Sequence, residues 1–357
     1  MKFSRTLVGL TAAALCAIAS YGTDVSGIID SDTRWTSTEN PYLVTGDIVV
    51  TRNARLAIGP GTEIRVAALK FVDEKIPQID HLDEQTIKIK IEGTLICEGK
   101  SDKRIVFAPA AGRSTECGWY GIVLDKASDK FSEIAYLDIA GACNGITMTG
   151  CAITIRNCLF ENNNVGLICS EAGNAKVYQS IFTANYTAGI QIKKSNPTIK
   201  NSIIAFNYQN GIWCDGISQI DSRYNCIFGN TDVNIAGCDP RIGLRVKKNN
   251  NKDSTDVFGT ITLDPVFSGS GADSVAVERD ISRPTKKSLV GDTTLARMVP
   301  QNDTLAQKPP AGTNRRGRFT LSKYSPCRNS GDPLITYKDR DGSQSDMGIW
   351  GGPDIIK

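Results

Sequence analysis

Apolar and polar residues alternate in short runs through the middle of the chain. The clearest runs are 153–155, 180–182, 190–192 and 202–204, and residues rich in Asn and Gly separate them. A period of two indicates β-strands, whereas an amphipathic helix repeats every 3.6 residues. The pattern therefore predicts an all-β region of short strands joined by tight corners.

The runs recur with a period of about 22 residues, and three columns of residues share that period. A glycine followed by an aliphatic residue begins at Gly121, Gly145, Gly166, Gly189 and Gly211. A second column consists of Cys158, Ser180, Ser202 and Cys226. A third column consists of Asn163, Asn185, Asn207 and Asn230. Three columns with one period predict a stack of structurally equivalent coils.

A coil of about 22 residues with three short strands and three corners is one turn of a parallel β-helix. Leucine-rich repeats have a similar length, but their L-x-x-L-x-L pattern is absent from this sequence. Asn tolerates left-handed backbone angles and therefore suits corners. Equivalent Asn side chains on successive coils can also hydrogen-bond to one another as a ladder.

Strand alternation assigns the inner and outer faces of the predicted coils. If the aliphatic residue after each Gly points inward, two wholly apolar inner columns result. The first is Ile122, Ile146, Leu167, Ile190 and Ile212, and the second is Leu124, Met148, Cys169, Ile192 and Cys214. The outer columns are then Val123, Thr147, Ile168, Gln191 and Trp213, followed by Asp125, Thr149, Ser170, Lys193 and Asp215.

Residues 87–235 resemble the right-handed parallel β-helix repeat family of the pectate-lyase-like superfamily. Segments 46–50 and 54–62 resemble its first coils, and segments 325–333 and 339–352 resemble the closing segment of uncharacterised exported bacterial members. The resemblance implies an all-β, right-handed parallel β-helix with an irregular C-terminal cap region. It also implies that polysaccharide binds on the outer strand face.

The sequence predicts four regions. Residues 1–19 have the form of a secretory signal peptide, in which Lys2 and Arg5 precede an apolar run and Ala17-Ile18-Ala19 ends it. Lipid modification of Cys16 is the alternative. Residues 20–239 form the β-helix, 240–324 a polar irregular extension and 325–357 the closing segment. We expect a secreted, periplasmic or cell-surface protein, most simply a monomer.

Composition excludes several function classes. The 357 residues include 41 Lys and Arg against 38 Asp and Glu, which gives no bulk electrostatic case for nucleic acid. A single histidine, His81, excludes mechanisms that need a His pair. No second apolar stretch is long enough to span a membrane.

The richest outer chemistry lies on the last two coils. Gln191, Lys193, Trp213 and Asp215 form a candidate ligand-binding set, with Glu171 adjacent. An exposed Trp offers a flat apolar surface to a sugar ring, so we expect a polysaccharide or cell-surface glycan as partner, bound without catalysis. The alternative is a lyase acting on a uronate-containing polymer. Lys193 would then be the base, assisted by Asp215 or Glu171.

Simpler interpretations of these residues stay open. Lys193 and Asp215 would form a surface ion pair of little energetic value, and Trp213 would pack against a loop. A third possibility for the whole protein is a pure scaffold or adhesin.

Asp339, Asp341 and Asp346 form an acidic cluster near the C-terminus. They lack the full spacing of a calcium loop. We therefore expect a turn, with a calcium site as the alternative, and no other cofactor.

Cysteine spacing leaves the disulfide pattern open. Export permits disulfides among the ten cysteines other than Cys16. Cys158, Cys169, Cys214 and Cys226 are expected to be buried thiols, because members of one column lie two or three coils apart. The pairs that remain open are Cys143 with Cys151, Cys226 with Cys238 and Cys97 with Cys117.

Overall fold

The structure is a computed structural model that describes residues 22–67, 86–110, 117–128, 130–268 and 319–353. The predicted signal peptide, residues 1–19, lies outside the described residues. The chain winds into a right-handed parallel β-helix of about 8 turns, which confirms the predicted fold class. Each complete coil contributes three parallel strands, which stack into three rows called here the first, second and third sheets. The first and third rows are joined through one long strand near the N-terminus into a continuous 16-stranded sheet.

The strands of the three sheets follow in a fixed order along each coil. Strand β1 (Thr23–Ile29) lies beside β3 (Tyr42–Val50). The long strand β3 enters the third sheet with its first half and the first sheet with its second half. The first sheet continues with β6 (Lys88–Ile91), β9 (Gly121–Asp125), β12 (Asn144–Thr149), β15 (Val165–Ser170), β18 (Ala188–Lys193), β21 (Asn210–Cys214) and β24 (Val233–Ala236). The second contains β2 (Thr33–Trp35), β4 (Arg55–Ile58), β7 (Thr94–Glu98), β10 (Glu133–Ala135), β13 (Thr154–Arg156), β16 (Lys176–Tyr178), β19 (Thr198–Lys200) and β22 (Asp221–Arg223).

The third sheet continues from β3 with β5 (Glu63–Val66), β8 (Ile105–Pro109), β11 (Leu137–Ala140), β14 (Leu159–Glu161), β17 (Ile181–Thr183), β20 (Ile203–Ala205) and β23 (Cys226–Phe228). A small antiparallel hairpin of β25 (Lys247–Lys248) and β26 (Ser254–Thr255) follows the last coil. Single turns of 3-10 helix occur at Ser37–Glu39 and Ile335–Tyr337.

The inner columns predicted from strand alternation are confirmed. Ile122, Ile146, Leu167, Ile190 and Ile212 pair in register from β9 to β21, and all are buried. The second inner column also pairs in register and is equally buried. Because each side chain stacks on its equivalents one coil away, the interior is a continuous apolar core.

The glycine column has a steric cause. A Cβ atom on Gly145 or Gly166 would lie 2.5 Å from the backbone oxygen of the equivalent glycine on the next coil, and one on Gly189 would lie 2.9 Å from the oxygen of Gly211. Real Cβ atoms essentially never approach an oxygen that closely. The repeat therefore needs Gly at this position wherever adjacent coils run at their native spacing.

The third column is the predicted asparagine ladder, and the structure confirms it. The side-chain Nδ2 of Asn163 donates to Oδ1 of Asn185 at 3.1 Å, Asn185 to Asn207 at 2.9 Å, and Asn207 to Asn230 at 2.8 Å. Each of these acceptor oxygens also receives the backbone N–H of the asparagine on the preceding coil. The ladder thus satisfies buried polar groups that would otherwise lack partners.

The second column differs from the prediction in its last member. Ser180 Oγ accepts the backbone N–H of Cys158, and Ser202 Oγ accepts that of Ser180, both at 3.2 Å. The next position belongs to Asn225, whose Oδ1 accepts the N–H of Ser202 at 2.9 Å. Cys226 was assigned to this column, but it lies one residue later, opposite Ile203 on the outer face of the third sheet.

Two C-terminal regions complete the fold. Ile242 joins the inner core cluster, with Cys238 and Phe258 packed against it, so the chain after β24 closes the end of the interior. Residues 319–353 lie along the outer face of the third sheet. There Phe319, Met347 and Ile349 form a second apolar cluster with outward side chains of β14, β17, β20 and β23.

The disulfides differ from the three pairs left open by the sequence. Cys117 bonds to Cys143 and Cys214 bonds to Cys238, with Cα–Cα distances of 4.2 and 5.5 Å. The expectation that Cys214 is a free thiol is wrong. Each bond joins neighbouring coils, because its sequence separation, 26 or 24, is close to one repeat.

We predict that Asn185→Ala destabilises the protein by about 3 kcal/mol. It removes the acceptor of two Asn163 N–H groups and leaves the buried carbonyl of Phe160 without its donor. Urea unfolding monitored by circular dichroism measures the loss. The matched control is Asn250→Ala on the exposed surface, expected to change stability by less than about 0.5 kcal/mol. Equal losses in both variants would contradict a structural role for the ladder.

Candidate functional site

The candidate surface lies on the outer face of the first sheet, on β18 and β21. The predicted outer column pairs in register through Val123, Thr147, Ile168, Gln191 and Trp213, and all five side chains are half-buried. They therefore form a shallow row across successive coils. Along this row the side chains change from aliphatic and hydroxyl groups to an amide and an indole.

Trp213 is the centre of this surface. Its backbone pairs with Gln191 on the preceding coil, so the two side chains are neighbours. The ammonium group of Lys193, which is exposed, lies 5.8 Å from the centroid of the Trp213 ring. This distance suits a cation–π contact. The structure therefore brings together three of the predicted residues: Gln191, Lys193 and Trp213.

The Asp215 carboxylate binds backbone N–H groups and does not form the ion pair with Lys193 that the sequence left open. Its Oδ2 accepts the backbone N–H of Lys194 at 2.7 Å, and its Oδ1 accepts those of Ile217 and Ser218 at 3.1 and 2.8 Å. Desolvation raises the pKa of Asp215, but these N–H donors outweigh it and lower the pKa to about 2. Among the described residues, no ion pair joins Asp215 to Lys193. The carboxylate instead fixes the corner after β21.

Glu171 occupies the corner after β15 with a left-handed backbone angle of 45°. Its carboxylate lies 3.0 Å from the ammonium group of Lys194, the equivalent corner residue on the next coil. Both side chains are exposed, so the pair adds little stability. Glu171 is therefore adjacent to the surface, and its ion-pair partner is Lys194.

A second group of aromatic side chains, not predicted from the sequence, lies beside this surface. Tyr186 and Tyr208 lie at the corner that precedes β18 and β21, with ring centroids 6.3 Å apart. Each directly follows a ladder asparagine, Asn185 or Asn207. That recurrence at one repeat was the signal that could have identified them. With Trp213, they place three aromatic rings on two adjacent coils.

The acidic cluster near the C-terminus is built as a closed turn. The carboxylate of Asp339 accepts the N–H of Gly352 at 2.6 Å and that of Asp346 at 3.1 Å. Asp341 accepts the N–H and the hydroxyl of Ser343, and Asp346 accepts the N–H of Asn329. Within the ranges that the structure describes, no group of three acidic, His or Cys residues has metal-binding geometry. The hydrogen bonds to backbone N–H groups are those expected of a turn.

A separate groove of about 420 Å³ lies between β22 and residues 239–258, which follow the last coil. Ile220, Ile242 and Phe258 contribute apolar surface to it. The charged side chains that line the groove form ion pairs with one another, Arg223 with Asp221 and Arg241 with Asp239. The groove therefore presents neutralised charges, and it lies apart from Trp213.

Comparison with known proteins identifies the architecture. Residues 113–251 match the family model of the right-handed β-helix region. The chain thus carries a right-handed β-helix, and the pectate-lyase-like superfamily is consistent with both the match and the structure. Searches of curated proteins and of solved structures found no match. None of the helices in the described ranges is long and apolar enough to cross a membrane.

We predict that the stability of Asp339→Asn relative to the wild type increases as pH rises from about 4 to about 7. Burial, with a contribution from the Asp346 carboxylate, raises the pKa of Asp339 to about 6, from an ordinary value of 3.8. At pH values between 3.8 and about 6, Asp339 is protonated in the folded protein but ionised in the unfolded chain. The wild type therefore loses stability as pH rises through this range. Asn mimics the protonated form and avoids that loss. The readout is the difference in melting temperature between variant and wild type across this range.

Asp341→Asn is the control from the same turn. Hydrogen bonds from Ser343 lower the pKa of Asp341, so its contribution is lost only as pH falls below its ordinary value. Its melting difference should stay constant between about pH 4 and 7. Parallel pH trends in both variants would contradict the assignment of a raised pKa to Asp339.

Proposed function

We propose that this protein is an exported or cell-surface β-helix protein that binds carbohydrate without catalysis. The observation that carries the proposal is the half-buried Trp213 ring on the outer face of the first sheet, with Lys193 over the ring and Gln191 beside it. The proposed partner is a polysaccharide or a cell-surface glycan.

The chemistry of the surface suits a sugar. The apolar face of a pyranose ring packs on a flat aromatic side chain, while its hydroxyl groups need hydrogen-bond partners. The amide of Gln191 supplies both a donor and an acceptor, and the ammonium of Lys193 supplies donors. The Lys193 charge also favours a glycan that carries carboxylate or sulfate groups.

The extended form of the surface favours a polymer over a small molecule. Neighbouring coils lie about 4.8 Å apart, so a polysaccharide along the axis of the solenoid would contact the outer column coil by coil. Tyr186 and Tyr208 add apolar surface at the adjacent corner. A shallow row of this kind binds through several weak contacts, which suits a repeating ligand.

Lyase activity on a uronate-containing polymer is the alternative, and the geometry supports it less well. A base that abstracts a proton needs a partner that orients or acidifies the reacting group. Asp215 is engaged by three backbone N–H groups, and Glu171 is paired with Lys194. Lys193 therefore lacks the carboxylate partner that the lyase hypothesis assigned to it.

We predict that Trp213→Ala weakens glycan binding about tenfold or more, a loss of about 1.4 kcal/mol. The loss follows from removal of the aromatic surface on which the sugar would pack. Affinity electrophoresis against neutral, uronate-containing and sulfated polysaccharides measures it. The matched control is Tyr324→Ala, an exposed aromatic on the C-terminal segment, which should bind as the wild type does.

The panel also separates the alternatives. Failure of the wild type to bind any glycan, or equal binding by Trp213→Ala and wild type, would contradict the proposal. Release of unsaturated uronate products that is abolished by Lys193→Ala would instead support the lyase. The panel is run with and without calcium, which also tests the alternative of a calcium site at Asp339, Asp341 and Asp346.

Export is the part of the proposal that rests on residues 1–19. We predict that the exported protein begins at Ser20, after cleavage that follows Ala19. Intact mass spectrometry of protein recovered from the periplasm or culture medium of a bacterial host measures the N-terminus. A retained leader, or a lipid-modified Cys16, would contradict cleavage at this site.

A further inference from the structure

Two thiols from distant parts of the chain meet beneath the C-terminal segment. Cys226 lies in β23 and points out of the third sheet, while Cys327 lies in the segment that covers this sheet. Both are fully buried in the same apolar cluster. The Cys327 thiol is close enough to that of Cys226 to raise its pKa.

The surrounding contacts hold the two thiols in place. The carbonyl of Cys327 accepts the backbone N–H of Met347 at 2.9 Å, and the next residue, Gly348, donates to the carbonyl of Asn201 at 2.8 Å. On the solenoid side, the sulfur of Cys226 lies 3.2 Å from the carbonyl oxygen of Leu263. Their proximity is therefore set by backbone contacts on both sides.

Other free cysteines have different surroundings. Cys158 and Cys169 point into the inner core, where apolar side chains surround them. Cys226 and Cys327 instead share the apolar cluster that joins the solenoid to a segment outside its coils. They are thus the pair whose oxidation would change the connectivity of the fold.

We propose that Cys226 and Cys327 form a disulfide that fastens the C-terminal segment to the third sheet. The oxidant is a low-molecular-weight disulfide of the glutathione class. One thiolate attacks it to give a mixed disulfide, and the second thiolate displaces the remaining small thiol. The two cysteines lose two protons and two electrons in total, and the oxidant becomes two thiols.

The buried position governs when this bond forms. The neighbouring Cys327 thiol and burial raise the pKa of the Cys226 thiol well above its ordinary value. The thiolate is the attacking species, so reaction is slow while the segment is closed. Oxidation therefore proceeds before the segment docks or during its transient opening. After oxidation, the bond keeps the apolar outer side chains of Leu159, Ile181 and Ile203 covered.

Peptide mapping of the full chain tests the proposal. The protein is incubated with oxidised glutathione, its free thiols are alkylated under denaturing conditions, and it is digested with trypsin without reductant. Cys327 lies in the tryptic peptide 324–328, Cys226 and Cys238 lie in 224–241, and Cys214 lies in 201–223. We expect one species that contains all three peptides, with loss of the alkylated 324–328 peptide.

The Cys214–Cys238 bond is an internal control, because it links 201–223 to 224–241 whether or not Cys327 reacts. Recovery of that two-peptide species together with alkylated 324–328 would overturn the proposal, as would linkage of 324–328 to any other peptide. If the two-peptide link is also absent, oxidation is repeated on protein refolded in a glutathione redox buffer. Alkylated 324–328 after that treatment counts against the proposal.

A gel assay gives an independent readout. On a denaturing gel, a protease cut between Cys238 and Cys327 should leave the two fragments joined without reductant and separated with it, because such a cut keeps the Cys214–Cys238 bond within one fragment. Cys327→Ser should release them in both conditions, whereas Cys169→Ser, an inner-core control, should behave as the wild type does. Release of the fragments from oxidised wild type would overturn the proposal even if a variant fails to fold.

Discussion

Stacking in register is the constraint on which the structure depends. Each coil places its side chains about 4.8 Å from their equivalents on the next coil, so every column must be compatible with copies of itself. Apolar residues satisfy this condition in the interior, as the column through Ile146, Leu167 and Ile190 illustrates. Asn satisfies it at a buried corner, because each amide donates to the amide on the next coil and accepts from the amide on the preceding one. Gly satisfies it where a Cβ would meet the neighbouring backbone.

The same constraint explains why the outer face can carry function. An outward side chain has solvent on one side, so its column need not be uniform. The column that begins with Val123 and Thr147 ends with Gln191 and Trp213, although every member occupies the same position in its coil. Specific chemistry is therefore added on single coils at little cost to the stack. This is where the aromatic and polar groups of the candidate surface gather.

The need for each column to pack against copies of itself also determines how much of the structure could be predicted from the sequence. The repeat, the inner columns and the asparagine ladder follow from periodicity alone, because each column repeats one residue type or one polarity. The disulfides could not be predicted because column membership indicated a buried thiol at Cys214, whereas Cys214 and Cys238 face each other across one repeat. The role of Asp215 was missed because its partners are backbone N–H groups, which no sequence pattern displays. The last position of the second column is Asn225 and not Cys226, because this coil is one residue shorter than the spacing from Ser202 to Cys226 implied.

The C-terminal segment is the part of the described structure that periodicity cannot predict, since it repeats nothing. Its position follows from a second requirement, which is that the third sheet has apolar residues on both faces. Inner residues such as Phe160 and Phe182 belong to the main core, while their neighbours Leu159 and Ile181 point outward. A strand buried on both faces needs a second covering layer. Phe319, Met347 and Ile349 provide that layer. The segment therefore turns one side of the solenoid into a second core, whereas the outer face of the first sheet, with Trp213, keeps side chains accessible to a partner.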